Sequence, residues 1–274
     1  IQGNIPQENK WLPEMFGPTL DMYRGLTAEH WDSDLVVWPE TAVPDFSRNV
    51  MDSFLQPLAS EARQRDTSLL VGLFDRDPLT GRYYNTMQAL PLDQGKYHKR
   101  HLVPFGEYFP LRWLLAPFQG MLEVPMSDIS EGAAYQPLPQ LAGHPAGVSV
   151  CYEAAFSREI RRALPDAAFL VNSSNDAWFG DSLAPHQHLE IGRVRAREAG
   201  RYLARVTSTG ISAVIDDQGQ VLARSDQFER AVLTEELRPM EGATPFVRWG
   251  NTPVIGLALA GLLGLMGWRL RRRS

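Results

Sequence analysis

The sequence predicts an α/β domain built from two sheets packed on each other, with helices on the outside. Continuous apolar runs, Leu35-Val36-Val37-Trp38 and the Leu-Leu-Val-Gly-Leu-Phe stretch of 69–74, read as strands buried on both faces. Strand-like and helix-like segments alternate along the chain, so helices are expected to cover the sheet faces. The strand segments number about ten, which favours two stacked sheets over one.

The elements follow in order. Residues 1–5 read as a short first strand, and 17–30 as a helix with Leu20, Met22, Tyr23 and Leu26 apolar. The second strand is expected over 34–39, a helix over 47–66 and a buried strand over 67–74. Segments 83–92 and 95–98 form an expected hairpin turned at Asp93-Gln94-Gly95. A strand over 148–151 runs into a helix over 154–164, and another strand covers 168–172. Residues 185–201 read as a long helix whose arginines Arg193, Arg195, Arg197 and Arg201 form a solvated face. Strands are expected at 203–208, 211–216, 220–224 and 231–237, with Asp216-Asp217-Gln218-Gly219 as a turn.

Composition narrows the function classes. The 274 residues are 44% hydrophobic and 22% charged, as in a globular protein. A net charge of −5 supplies no basic face for nucleic acid. The single cysteine excludes an intramolecular disulfide and any zinc site built on paired cysteines. The His186-X-His188 spacing lacks a third ligand nearby, so no metal is expected. The chain begins at Ile1 with no signal-like segment and is expected to be part of a longer protein.

The C-terminal segment has its own character. Residues 254–267 are apolar throughout, Trp249 and Trp268 flank them, and Arg269, Arg271, Arg272 and Arg273 follow. This pattern predicts a transmembrane helix over 252–268, joined by a linker, 239–251, to a domain spanning 1–238. The basic tail, 269–274, is expected in the cytoplasm and the domain across the membrane, periplasmic in a Gram-negative bacterium.

Three residues carry candidate chemistry. Cys151 ends the strand Gly147-Val148-Ser149-Val150 and precedes a helix, where a helix N-terminus favours thiolate. A free cysteine is otherwise a small, inert, buried side chain. Glu40 follows Trp38-Pro39 and Lys99 follows Tyr97-His98. All three lie just past strand C-termini, where α/β folds assemble sites. A glutamate there can accept the thiol proton, and a lysine can stabilise an oxyanion.

The order of Trp38-Pro39-Glu40, Lys99 and Cys151-Tyr152-Glu153 resembles the Glu-Lys-Cys triad of the nitrilase superfamily of carbon–nitrogen hydrolases. The segments from Lys99 to Tyr108 and from Ser174 to Gly180, with the opening Gln2-Gly3-Asn4-Ile5-Pro6-Gln7, resemble the apolipoprotein N-acyltransferase family within it. The resemblance covers essentially the whole chain. It implies a four-layer αββα sandwich followed by the membrane helix, with Glu40 as general base, Lys99 as oxyanion stabiliser and Cys151 as nucleophile. It further implies that Glu107 holds Lys99 or assists proton transfer, that Tyr152 and Glu153 shape the site, and that Asn85 positions it. Trp178 and Phe179 resemble residues lining an acyl pocket. The implied activity moves an acyl chain from a phospholipid, through a cysteine thioester, to the amine of a diacylglyceryl lipoprotein in the bacterial inner membrane, without metal or organic cofactor. A membrane-anchored amidase using the same triad, and an inactive lipoprotein-binding module, are the alternatives. Apolar loops at 113–118 and 120–122 are expected to face the bilayer.

Overall fold

The computed structural model describes residues 1–108, 110 and 129–272; the loops at 113–118 and 120–122 lie outside them. Two sheets form. The first has the order β1 (Leu35–Val37), β2 (Ser68–Arg76), β3 (Tyr83–Leu90), β4 (Lys96–His98). Its β1–β2 pair is parallel, and the β2–β3 and β3–β4 pairs are antiparallel. The second sheet begins at β5 (Gln140–Leu141) and continues through β6 (His144–Val150), β7 (Phe169–Ser174), β8 (Leu203–Thr207), β9 (Ala213–Ile215) and β10 (Val221–Arg224). Its central β6–β7–β8 ladder is parallel.

The helices are α1 (Pro13–Ala28), α2 (Ser47–Val50), α3 (Gln56–Gln64), α4 (Ser157–Arg161), α5 (Ala184–Ala199), α6 (Pro245–Trp249) and α7 (Thr252–Arg271). The expected 47–66 helix forms as α2, a π-turn over Met51–Leu55, and α3. Pro57, which has no N–H to give, stands at the start of α3 and accounts for the break in the hydrogen-bond ladder.

Strand alternation sorts the apolar side chains into separate cores. Val36, Trp38, Leu69, Val71 and Leu73 face Leu20 and Tyr23 of α1 and Leu58 and Ala62 of α3. Their neighbours Val37 and Leu70 face the other way. With Met87, Ala89 and Tyr97 they meet Val148, Val150, Val171, Ala204 and Val206 of the second sheet. On that sheet's far side Leu170, Leu203, Ala213 and Ile215 pack against Leu189, Ala196 and Ala199 of α5. The layers are therefore helix, sheet, sheet, helix.

Several expectations are corrected. The first strand reduces to one bridge, Gln2 to Ala231, and 231–237 forms no strand beyond it. The helix expected over 154–164 is divided into a 3-10 turn, Cys151–Ala155, and α4. Arg201 belongs to no solvated face. Gly200, at φ 62°, ends α5 in the left-handed region, and the chain turns Arg201 inward. Its guanidinium donates to carbonyls of Ala167, Pro165 and Gly242 at 2.7–3.0 Å. Within the expected linker, 239–251, Met240 N donates to Ala168 O at 2.8 Å, and Arg161 donates to Val247 O at 3.0 Å.

The membrane expectation also changes. Residues 252–271 are helical, and the large apolar side chains described between Val254 and Met266 are exposed. Among the described residues, however, no helix is long and apolar enough to cross a membrane. The stretch Val254–Met266, at about 1.5 Å per residue, reaches about 20 Å, short of a hydrocarbon core of about 30 Å.

Candidate active site

Glu40 follows β1 at a tight turn in which Thr41 adopts φ 50°. Strand β2 passes so close that a Cβ on Gly72 would lie 2.3 Å from the Pro39 carbonyl oxygen and 2.8 Å from Glu40 Cα. Only glycine leaves that turn in place. The buried carboxylate is then held from three sides. Asn85 Nδ2 on β3 donates to Oε1 at 2.6 Å, Lys99 Nζ donates to the same oxygen at 3.3 Å, and the Asn175 backbone N donates to Oε2 at 2.8 Å.

Lys99 leaves β4 and is 1% exposed. Its Nζ also donates to Glu107 Oε1 at 2.8 Å, while Glu107 Oε2 accepts from Val103 N at 2.8 Å. Burial works against the ammonium, but the charges of Glu40 and Glu107 outweigh it and hold the group above the usual lysine range. Lys99 is therefore a permanent cation in a dry setting.

Cys151 is the first residue past β6 and sits at φ 50°. That conformation is uncommon for a residue with a Cβ and is characteristic of strained functional turns. The thiol is buried, and burial, with Glu40, pushes it up to about 12 despite the opposing Lys99 charge. At neutral pH the resting group is the thiol. Glu40 and Lys99 both act on Cys151 through their charges; the three residues, distant in sequence, share one buried cluster.

The expected supporting residues divide. Asn85 and Glu107 join the cluster directly, with Asn85 Nδ2 3.4 Å from Glu107 Oε1. Glu153 does not face it. Fully buried, Glu153 accepts from Tyr97 Oη at 2.9 Å, Arg100 N at 2.7 Å, His101 N at 2.9 Å and Val150 N at 2.7 Å. It ties the segment carrying Lys99 to the turn carrying Cys151. Tyr152 is half-buried, with its ring edge-on to Phe156 at 4.9 Å and His101 5.8 Å away. Trp178 and Phe179 stand exposed on the 3-10 turn Asp176–Phe179, immediately after Asn175. His188 is 3.2 Å from the buried Asp176, which pairs with Arg205 at 2.7 Å.

Sequence reasoning missed the backbone of Asn175 and the buried network of Ser174, Asp176 and Arg205 behind the thiol. Ser174 Oγ donates to Asp176 Oδ1 at 2.6 Å, and Arg205 donates to Asn172 Oδ1 at 2.6 Å. An arginine inside the apolar run Leu203–Thr207 was the available signal. A cavity of about 1060 Å³ lies elsewhere. It opens near the N-terminal ends of β1 and β2, beside Asp34, Ser68, His144 and Glu236, and none of the triad lines it.

The family model for carbon–nitrogen hydrolases matches residues 1–245. The apolipoprotein N-acyltransferase of Methylococcus capsulatus is 49% identical over 274 residues, covering 100% of this chain and 54% of that protein. The enzyme of the same name from Nitrosomonas europaea is 45% identical over 268 residues, covering 97% and 53%. The chain thus spans about half the length of these curated relatives. Among solved structures, Saccharomyces cerevisiae Nit3, a member of the nitrilase superfamily, aligns with TM-score 0.60 at 19% identity, covering 84% of each chain. A carbon–nitrogen hydrolase from Helicobacter pylori aligns with TM-score 0.60 at 17% identity, covering 82% and 83%. These two likenesses establish a nitrilase-like α/β fold.

Proposed function

The chain belongs to the carbon–nitrogen hydrolase family, and from that premise we propose that it catalyses N-acylation of apolipoproteins through a thioester on Cys151. The observation that carries the proposal is the buried Lys99–Glu40 pair, 3.3 Å apart, together with the buried Cys151 held at φ 50° just past β6. The name borne by relatives 49% and 45% identical over nearly the whole chain supports the choice of reaction within the family.

In the first half-reaction Cys151 Sγ attacks the ester carbonyl carbon of a phospholipid, and Glu40 takes the thiol proton. A C–S bond forms, and the carbonyl oxygen becomes an oxyanion beside Lys99. The C–O bond then breaks, Glu40 returns the proton to the leaving oxygen, and lysophospholipid departs. In the second half-reaction the amine of a diacylglyceryl-cysteine N-terminus attacks the thioester carbonyl and gives a proton to Glu40. The C–S bond breaks, an amide forms, and the thiol is restored. Glu107 keeps Lys99 oriented, Asn85 and the Asn175 N–H fix Glu40, and Glu153 braces Lys99 against the nucleophile turn.

Both substrates are lipids, and each buried CH₂ contributes about 0.8 kcal/mol to membrane retention, so the reaction belongs at a bilayer surface. The exposed apolar residues of α7 suit contact with lipid, and Trp178 and Phe179 suit contact with an acyl chain. The proposed location is the bacterial inner membrane, with the domain on the periplasmic side. Polar replacement of Trp178 and Phe179 together should weaken use of long-chain donors and leave the fold intact; undiminished activity would remove them from the acyl path.

The test separates transfer from hydrolysis. The full-length enzyme is given phospholipid with and without a diacylglyceryl-peptide amine. Transfer predicts N-acyl peptide, with lysophospholipid release that depends on the amine. Free fatty acid appearing at the same rate in both samples would identify a hydrolase instead.

A further inference from the structure

We propose that Lys10 is a positioning residue for Glu40, a second buried cation that fixes the carboxylate turn; this rests on Glu40 being the base. Lys10 is 3% exposed, although nothing in the segment Glu8-Asn9-Lys10-Trp11 marks it for burial. A buried ammonium needs acceptors, and those it finds belong to the base and its neighbour. Lys10 Nζ donates to the Glu40 carbonyl oxygen at 3.1 Å and to Thr41 Oγ1.

The geometry of the N-terminal loop gives this contact a direction. Asn9 N and Lys10 N both donate to Pro6 O at 3.1 Å, closing a turn over Pro6–Lys10. From that turn Gln7 Oε1 accepts from Asn175 Nδ2 at 2.9 Å. Asn175 is the residue whose backbone N binds Glu40 Oε2. One turn therefore grips the base twice, through its own main chain and through the residue that caps its carboxylate. Thr41, at φ 50°, is held in its uncommon conformation by the same ammonium.

Charge adds to position. Burial lowers Lys10 to about 8, and the Glu40 charge acts in the opposite direction. The other groups facing Glu40 are Lys99 beyond β4, Glu107, Asn85 on β3, the Asn175 N–H beyond β7 and Cys151 beyond β6. Lys99 is divided between two carboxylates, so a second cation makes the local balance two against two.

The experiment follows the pH dependence of Cys151 alkylation by iodoacetamide, read by mass spectrometry of the Cys151 peptide in the full-length protein. It needs no lipid substrate. Phospholipid-dependent thioester formation is measured in parallel. Lys10→Gln keeps a donor and loses the charge, Lys10→Met loses both, and Lys10→Arg keeps the charge. Lys10→Met, which loses both bonds, should alkylate several-fold more slowly at pH 7, with Lys10→Arg near wild type and Lys10→Gln between them. A folded Lys10→Met protein with the wild-type rate and pH profile would overturn the proposal. Failure of both neutral variants to fold would also overturn it, by assigning Lys10 to stability alone. If wild type alkylates as described but forms no thioester with phospholipid, the acyl-transfer reading fails and the role of Lys10 stands.

Discussion

Lys99 Nζ lies 2.8 Å from Glu107 Oε1, closer than the 3.3 Å that separates it from Glu40 Oε1. The shorter bond goes to the carboxylate that has a second anchor in Val103 N. Lys99 is thereby shared between Glu107 and Glu40, and in the proposed reaction Glu107 keeps it oriented. Replacing Glu107 by Gln should lower kcat by roughly 10- to 100-fold. KM for the acyl donor should stay within about threefold, since ground-state binding is untouched. Steady-state kinetics with both parameters resolved will check this.

The thiol, raised to about 12 by burial and Glu40, makes a second prediction. Without the base, alkylation can proceed only through the small thiolate fraction. In Glu40→Gln the alkylation rate of Cys151 should follow the thiolate fraction and climb about tenfold per pH unit through the neutral range. In wild type, if Glu40 takes the thiol proton, the rate should rise less steeply with pH. Matching profiles in the two proteins would show that Glu40 does not handle the thiol proton.

Gly72 gives a third. A methyl group there meets backbone atoms of Pro39, Glu40 and Thr41 at 2.3–2.8 Å, and backbone cannot swing aside as a side-chain tip can. Gly72→Ala should cost about 1–3 kcal/mol and lower activity further than that loss explains, because the atoms displaced carry the base. Activity per folded molecule, normalised by thermal unfolding, is the measurement.

Asp75 supplies a fourth, on stability. It accepts from His98 Nε2 at 3.2 Å, Ser47 Oγ at 2.7 Å and Lys96 Nζ at 2.5 Å, tying β2 to the strand that delivers Lys99. The bond from His98 leads these causes, and despite partial burial the carboxyl is held well below the usual carboxylate range. A depressed folded-state value adds stability that is present above the unfolded value, about 4, and lost as pH falls toward the folded one. Asp75→Asn should cost about 1–2 kcal/mol at pH 7. The gap from wild type should shrink as pH falls below about 4. Denaturant unfolding across pH will show it.

The parts legible in the sequence are those written in local pattern. Leu35-Val36-Val37 and Phe169-Leu170-Val171 read as buried strands because both faces are apolar, and both are strands. Cys151 and Glu40 stood out as candidates because each follows such a strand, and Lys99 because it follows the hairpin strand Lys96–His98. The remainder depends on partners far away in the chain. Whether Lys10 is solvated or buried is decided by Glu40 and Thr41, and Arg205 is buried because Asp176 and Asn172 await it. Arg201 continues a helical pattern, yet a left-handed Gly200 turns it inward. Residues 231–237 have strand composition but gain only the single bridge from Ala231 to Gln2.

In the proposed reaction Cys151 takes an acyl chain from a phospholipid while Glu40 accepts the thiol proton. The direct measurement is the mass of the peptide containing Cys151 after brief exposure of the full-length enzyme to phospholipid without an amine acceptor. Wild type should carry one acyl chain on that peptide, removable by hydroxylamine as a thioester requires. Glu40→Gln should carry far less over the same interval, and Cys151→Ala none. An unmodified Cys151 peptide in an enzyme that still acylates its acceptor would contradict the account.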